Sequence, residues 1–312
     1  MKHHYKLIPL IFFLVVTSSG TWALVDYSEQ EAPMVNSAVK KNRVVGAKSI
    51  RRVGAGRQGG GASLIDSFSF RTGIESMKVN YEGHSRKVTR FIGNSHIQTN
   101  YNVFTNINYW YASSDSDSLA STSRTQAGNP TVRLGFNWLK FGKAEEMATI
   151  DLYGGAMFKA TDSEFGSSRF DKLAGVETSK RFFDLALALG WELRITGSPS
   201  NPDESAIGNI NKLSAAIGWR VSPDINFSVE GVNYKVSGNK GTEHDSIMTR
   251  GFSFSYISPK MNLKIGTFIG LEMGAIFRTD KVEISEEIVG AKLWDLEGLY
   301  GNSIFGGLNL TI

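Results

Sequence analysis

Apolar and polar residues alternate along most of the chain from residue 65 to its end. The longest alternating stretch is 95–111, SHIQTNYNVFTNINYWY, in which one set of positions is aliphatic or aromatic and the other is mostly uncharged amide. Because strand side chains point alternately to opposite faces, this pattern predicts one strand with an apolar and a wettable face. A strand of about 16 residues that ends in aromatic side chains suits a tilted crossing of a bilayer better than a soluble sheet.

Further alternating runs predict a sheet of about twelve strands, or ten to fourteen if the runs are divided differently. The predicted strands are 65–81, 87–92, 95–111, 130–141, 147–160, 169–179, 183–196, 213–221, 225–229, 252–256, 261–273 and 304–312. The apolar positions shift by one at Glu75-Ser76, which predicts a β-bulge. Gly93-Asn94 predicts a turn between the second and third strands, and Ser258-Pro259-Lys260 predicts a tight turn before 261–273.

The predicted connections alternate between long and short. Residues 112–129, 198–210 and 278–300 form long connections, whereas Lys180 to Phe182 and Ser222-Pro223-Asp224 form short ones. This order favours an all-β fold, a transmembrane antiparallel up-and-down β-barrel over residues 65–312.

The N-terminal residues differ from the rest of the chain. Residues 1–23 have a basic start, an apolar run of about ten residues and small residues before Ala23, which predicts a cleaved signal peptide. The apolar run is too short for a helical membrane anchor. Residues 24–64 are basic and glycine-rich and predict a flexible arm, which could also hold an acidic partner or anionic lipid or fold back into a pore.

Composition excludes several classes of function. Cysteine is absent, so neither disulfides nor a lipidated cysteine can operate. The net charge of +4 falls to about +2 without Lys2 and Lys6, which is too balanced for a nucleic-acid-binding protein. Gly54, Gly56 and Gly59 match G-x-G-x-x-G, but no strand precedes them and no helix follows, so no cofactor is expected.

With this order of strands, the chain resembles the Gram-negative outer-membrane β-barrel proteins, without indicating a subfamily. The last strand, Ile304 to Ile312, has alternate apolar residues like the terminal strand that the barrel-assembly machinery reads, although it ends in Ile and not in an aromatic residue. The resemblance implies a location in the cell outer membrane and contact with outer-membrane lipid and lipopolysaccharide. The arm 24–64 would then be periplasmic.

Positions opposite the apolar set would line the lumen of such a barrel. They are Asn100, Asn102, Asn106, Asn108, Arg133, Asp151, Lys159, Glu192, Arg194, Lys212, Arg220, Glu230, Lys264 and Glu272. Charges of both signs can line a narrow passive channel for small polar or ionic solutes, or pair into a solid plug of a structural or surface-binding barrel. The alternation of strand positions between the two faces, called parity below, leaves both possibilities open.

Catalytic and metal-binding candidates are weaker. A rim hydrolase would need a histidine such as His84, His96 or His244, and Glu243-His244-Asp245 is the sharpest candidate, but no nucleophile motif accompanies it. The chain is therefore not expected to be an enzyme. Asp115 and Asp117 lack the rest of a calcium loop, so no metal site is expected. Residues 285–299 have helical spacing and predict a short amphipathic helix that is either a lid over the mouth or a rim element.

Overall fold

The computed structural model describes residues 64–81, 84–115, 125–143, 146–160, 163–239 and 247–312. The predicted signal peptide, and all of the predicted arm except Leu64, lie outside these residues. No helix among the described residues is long and apolar enough to cross a membrane.

The described residues form one antiparallel sheet of thirteen strands that closes on itself. The strands are β1 Ile65–Tyr81, β2 His84–Thr99, β3 Val103–Ser114, β4 Thr125–Ala127, β5 Thr131–Phe141, β6 Ala148–Met157, β7 Asp171–Phe182, β8 Leu185–Ile195, β9 Ile210–Ser222, β10 Ile225–Ser237, β11 Gly251–Ile265, β12 Ile269–Asp280 and β13 Ser303–Thr311. Closure occurs because β1 pairs with both β2 and β13. β4 has three residues and pairs only with β3, so the closed wall consists of the other twelve strands. The prediction of a twelve-strand up-and-down barrel is thus confirmed.

Two predicted strands, 95–111 and 261–273, each continue through a turn of the structure. The number of strands is unchanged, because the turn predicted before each of them lies inside a strand. Gly93-Asn94 lies inside β2, and the chain turns instead at 100–102, where Asn102 has a φ of 60°. Likewise Ser258-Pro259-Lys260 lies inside β11, and the turn falls at 266–268. In both hairpins paired residues are an even number of positions apart, as Ile97 pairs with Thr105. Alternation therefore continues through the turn and gives no sign of it.

The predicted bulge at Glu75-Ser76 is also wrong. β1 pairs continuously with β2 from Ser67 to Tyr81. The shift arises because the apolar residues change faces: Ile74 is exposed outside, whereas Met77 and Val79 are buried inside. Phe254 and Tyr256 of β11 are buried inside in the same way. The barrel interior is therefore apolar at one end.

The two ends of the barrel differ in their connections. At the short-turn end lie the turns 100–102, 183–184, 223–224 and 266–268, the end of β5 at Phe141 and the start of β6 at Ala148, together with Ile65 and Ile312. At the long-loop end lie the strand ends that the connections β3–β5, β6–β7, β8–β9, β10–β11 and β12–β13 join, together with the pair Tyr81 and His84 of β1 and β2. Two short helices, α1 Ile247–Arg250 and α2 Glu286–Gly290, belong to these long loops. α2 is the only helical part of the helix predicted over 285–299, because the rest of that segment turns into the barrel.

The wall has one apolar and one mixed face. On β8, Leu187, Leu189 and Trp191 are exposed to the outside, and the intervening Ala188 and Glu192 are buried inside. Large apolar side chains are exposed in the same alternating way on β5, β9 and β13. An outer face with so much exposed apolar surface requires an apolar environment around the barrel.

Polar and charged inner wall as the candidate functional site

Three side chains from different strands meet at the middle of the inner wall. The Arg133 Nη2 atom on β5 donates to Glu192 Oε2 on β8 at 2.8 Å, and the Tyr153 hydroxyl on β6 donates to the same oxygen at 3.1 Å. The Arg133 guanidinium also lies 5.6 Å from the centre of the Tyr153 ring. This arrangement depends on Gly175 of β7, since a Cβ there would lie 2.4 Å from the Tyr153 ring.

Other charges of the inner wall are paired along the barrel. The Lys260 Nζ atom lies 2.9 Å from Glu230 Oε2, and both side chains are buried. Arg71 pairs with Glu272 near the short-turn end. Arg90 Nε donates to Glu75 Oε2 at 2.9 Å near the long-loop end. Pairing offsets the desolvation cost that each isolated charge would carry.

Uncharged amides form a hydrogen-bonded ladder beside these ion pairs. Asn94 Nδ2 donates to Asn108 Oδ1 at 2.6 Å, and the rung below joins His96 Nδ1 and Asn106 Oδ1 at 2.6 Å. Asn137 Nδ2 donates to Asp151 Oδ1 at 2.7 Å. The two rungs between β2 and β3 give that part of the inner wall a hydrophilic surface without a carboxylate.

The structure separates the predicted lumen residues into two groups. Those on inner-face positions of strands are Asn106, Asn108, Arg133, Asp151, Glu192, Arg194, Lys212, Arg220, Glu230, Lys264 and Glu272. Within that group, Arg220 and Lys264 lie near the short-turn end, where Arg220 Nη2 is 2.7 Å from Asp184 Oδ1 of a turn.

The other group lies outside the strands. Asn100 and Asn102 belong to the turn between β2 and β3, because the predicted strand 95–111 is divided there. Lys159 follows the end of β6 and is exposed, with its Nζ atom against Ser200 Oγ. These placements correct the prediction for these three residues.

Several inner-wall residues were missed by parity. Arg71 and Glu75 were obscured by the supposed bulge, although strict alternation through β1 would have placed both inside. Lys260 was assigned to a turn that is in fact a strand, and Arg90 lay in a run too short to assign. Tyr153 was not singled out because a tyrosine fits either face of a membrane barrel.

Residues 286–300 form an inward segment that enters the long-loop end of the barrel. Arg90 Nη1 donates to the Trp294 carbonyl at 2.6 Å, Arg194 pairs with Asp295, and the Tyr256 hydroxyl donates to Glu297 Oε2 at 3.0 Å. Its apolar side chains pack against the apolar inner residues of that end. The fully buried members of the segment are Ile288, Ala291, Leu293, Leu296 and Leu299.

Two other long loops cover the inward segment. Arg169 is fully buried, and its Nη1 atom donates to Glu204 Oε1 at 2.8 Å and to the Ala291 carbonyl at 2.7 Å. Lys292 Nζ donates to the Ser163 carbonyl at 2.7 Å. Loops 158–170, 196–209 and 281–302 are thereby joined over the mouth.

Electrostatics favour the ionised form of Glu297. Burial raises the pKa of a carboxyl group, but the positive charges of Arg90, Lys260 and Lys212 outweigh burial and hold the pKa of Glu297 below its ordinary value. The charged carboxylate is therefore an integral part of this contact.

The weaker chemical candidates are only partly described. His244, both neighbouring carboxylates and Asp117 lie outside the described residues, as does the His84 side chain. His96 bonds Asn106 on the inner wall, and Asp115 Oδ1 accepts from the Lys87 backbone at 2.9 Å. Among the described residues, no group of three or more His, Cys, Asp or Glu could hold a metal ion.

Comparison with known proteins identifies likenesses in structure only. No protein-family model and no curated protein matches the sequence. The chain is similar to an outer-membrane channel from Pseudomonas putida F1, with a TM-score of 0.53 and 12% identity over 80% of this chain and 97% of that one. The NanC porin gives a TM-score of 0.48 at 10% identity, over 78% of this chain and 98% of the porin. The first likeness shows that the chain has the fold of an outer-membrane barrel.

Proposed function

We propose that the chain is an outer-membrane β-barrel that forms a narrow passive channel for small polar or ionic solutes. The observation that carries this proposal is a hydrophilic inner wall enclosed by an apolar outer wall. The outer face suits hydrocarbon, and ionisable groups inside a membrane protein ordinarily mark a path for water or ions.

The order of long and short connections indicates how the barrel would be oriented in the membrane. In outer-membrane barrels the long loops face the exterior and the short turns face the periplasm. The predicted arm 24–64 would therefore lie in the periplasm, next to Ile65. Lipid and lipopolysaccharide would contact the outer face, and the assembly machinery would read β13, where Ile304, Leu308 and Leu310 are exposed.

The inward segment makes this conformation a constricted one. Its apolar side chains are buried inside the long-loop end of the barrel, and Arg90, Arg194 and Tyr256 hold it there. We therefore propose that conduction depends on whether this segment is docked or displaced.

A second candidate function is a non-conducting barrel whose long loops bind a surface partner. The observation that favours it is the pairing of inner-wall charges, including Arg133 with Glu192 and Lys260 with Glu230. Paired charges can form a permanent polar plug.

Planar-bilayer conductance of the refolded mature chain distinguishes the two functions. Heat-modifiable gel migration first establishes that the barrel has folded. Discrete current steps from the wild type, or from a variant lacking residues 286–298, support a channel. A folded barrel that conducts in neither form contradicts the channel and leaves the second candidate.

A further inference from the structure

Two carboxylates of the inward segment occupy a polar site on the inner wall. Asp295 pairs with Arg194 of β8, and Glu297 Oε2 accepts from the Tyr256 hydroxyl of β11 at 3.0 Å. The two acidic residues are separated by one position of the chain, so they present two neighbouring negative groups to the wall. Lys212 and Lys260 add positive charge near Glu297.

The wall site is incompletely satisfied by the segment. Arg194 is buried, yet its Nε atom has no hydrogen-bond partner among the described residues, and neither has Asp295 Oδ1. A guanidinium and a carboxylate bind most strongly through two parallel hydrogen bonds. Asp295 is hydrogen-bonded to Nη1 of Arg194, whereas a carboxylate that is not tethered to the chain could bridge Nε and Nη2, which lie on one side of the guanidinium.

Arg194 depends on the inward segment for a carboxylate partner more than the neighbouring cations do. Arg90 already bonds Glu75, and Lys260 already bonds Glu230, so neither cation depends on the segment for neutralisation. Asp295 is the carboxylate at hydrogen-bond distance from Arg194, the carboxylates of Glu192 and Asp171 also act on it electrostatically, and its Nη1 atom approaches Met157 Sδ at 3.7 Å. Displacement of the segment would therefore expose Arg194 and the Tyr256 hydroxyl together.

We infer that Asp295 and Glu297 act as built-in substitutes for a solute that carries two or more carboxylates, and that such a solute displaces the inward segment from Arg194 and Tyr256. This inference rests on the proposed function in one respect: a solute must be able to enter the barrel from the long-loop end, whether or not it then passes through. A ligand that binds only the undocked form shifts the population toward that form.

Citrate serves as the probe, and sodium chloride at matched ionic strength is the control. Hydrogen exchange of peptides from 286–300 is measured in the refolded mature chain, and citrate affinity is measured by calorimetry. Citrate is expected to accelerate exchange of this segment, and chloride is not. The double variant Asp295→Asn, Glu297→Gln should bind citrate about tenfold more tightly, because the internal competitor is weakened. Glu286→Gln, an exposed position of the same segment, should bind like the wild type.

Arg194→Gln should lose citrate binding. If that variant fails to fold, the single variant Glu297→Gln carries the test, since it keeps the shape of the side chain. The inference is overturned if citrate leaves exchange at 286–300 unchanged and the double variant binds no more tightly than Glu286→Gln.

Conductance separates this inference from the proposed function. Release of the segment by citrate without any current contradicts the channel but supports the wall site. Current that is insensitive to citrate, with unchanged exchange, supports the channel and overturns the inference.

Discussion

Arg133 and Glu192 are joined across two intervening strands of the barrel wall, with 2.8 Å between Nη2 and Oε2. Both side chains are largely shielded from solvent, and Tyr153 donates to the same carboxylate oxygen. The contact ties β5 to β8 at the inner surface and neutralises two charges there.

Removal of the Glu192 charge should affect stability and selectivity together. Glu192→Gln leaves Arg133 without its carboxylate, and loss of one partner of a buried pair costs about 3 kcal/mol of unfolding free energy. Urea unfolding in liposomes measures this loss. In a conducting barrel the freed Arg133 should also shift the reversal potential toward anion preference. Asp224→Asn, in an exposed turn, should change neither quantity.

Gly175→Ala should destabilise the barrel. The new Cβ would lie 2.4 Å from the Tyr153 ring and 2.7 Å from the Trp191 carbonyl, so side chain or backbone must move. Such overpacking costs about 1–3 kcal/mol. Gly154→Ala is the matched control, because its Cβ would meet only the Leu173 carbonyl at 3.7 Å. Equal unfolding midpoints for the two variants would show that Tyr153 is not held in this position.

Deletion of residues 286–298 should raise single-channel conductance, because these residues pack against the inner wall at the long-loop end of the barrel. Planar-bilayer recording measures the change, and Glu286→Ala, which alters only an exposed side chain of the segment, is the control. An unchanged current from a folded deletion variant would mean that the segment does not limit conduction.

Docking of the inward segment should tolerate mild acid. A carboxyl group whose folded pKa is lowered stabilises the docked state fully above its unfolded pKa, and this stabilisation is lost as pH falls through the folded pKa. The pKa of Glu297 is below its ordinary value, so release should occur only at pH below the usual carboxyl range. Emission of Trp294, which stacks on Tyr300 at 4.0 Å, reports release.

Glu297→Gln provides the control for that pH dependence. The variant lacks the titrating group, so the acid transition in Trp294 emission should weaken or disappear. If the acid transition of the wild type persists unchanged in Glu297→Gln, a group other than Glu297 causes it.

Local sequence pattern determined the architecture, because the two faces of a strand repeat every two residues wherever the strand lies. Leu187, Leu189 and Trp191 alternate with Ala188 and Glu192, and this alone indicates a wall with unlike faces. Parity also placed Arg133 and Glu192 on one face. It could not locate the turns at 100–102 and 266–268, since both hairpins preserve parity.

Only the tertiary structure decided what fills the barrel. Met77, Val79 and Phe254 are apolar but face inward, because the inward segment supplies the apolar surface that covers them. Arg194 and Asp295 are 101 positions apart, and Arg90 and Trp294 are 204 apart. The alternation of residues along the sequence cannot predict such contacts. They arise only when closure of β1 on β13 brings the last long loop to the mouth of the barrel.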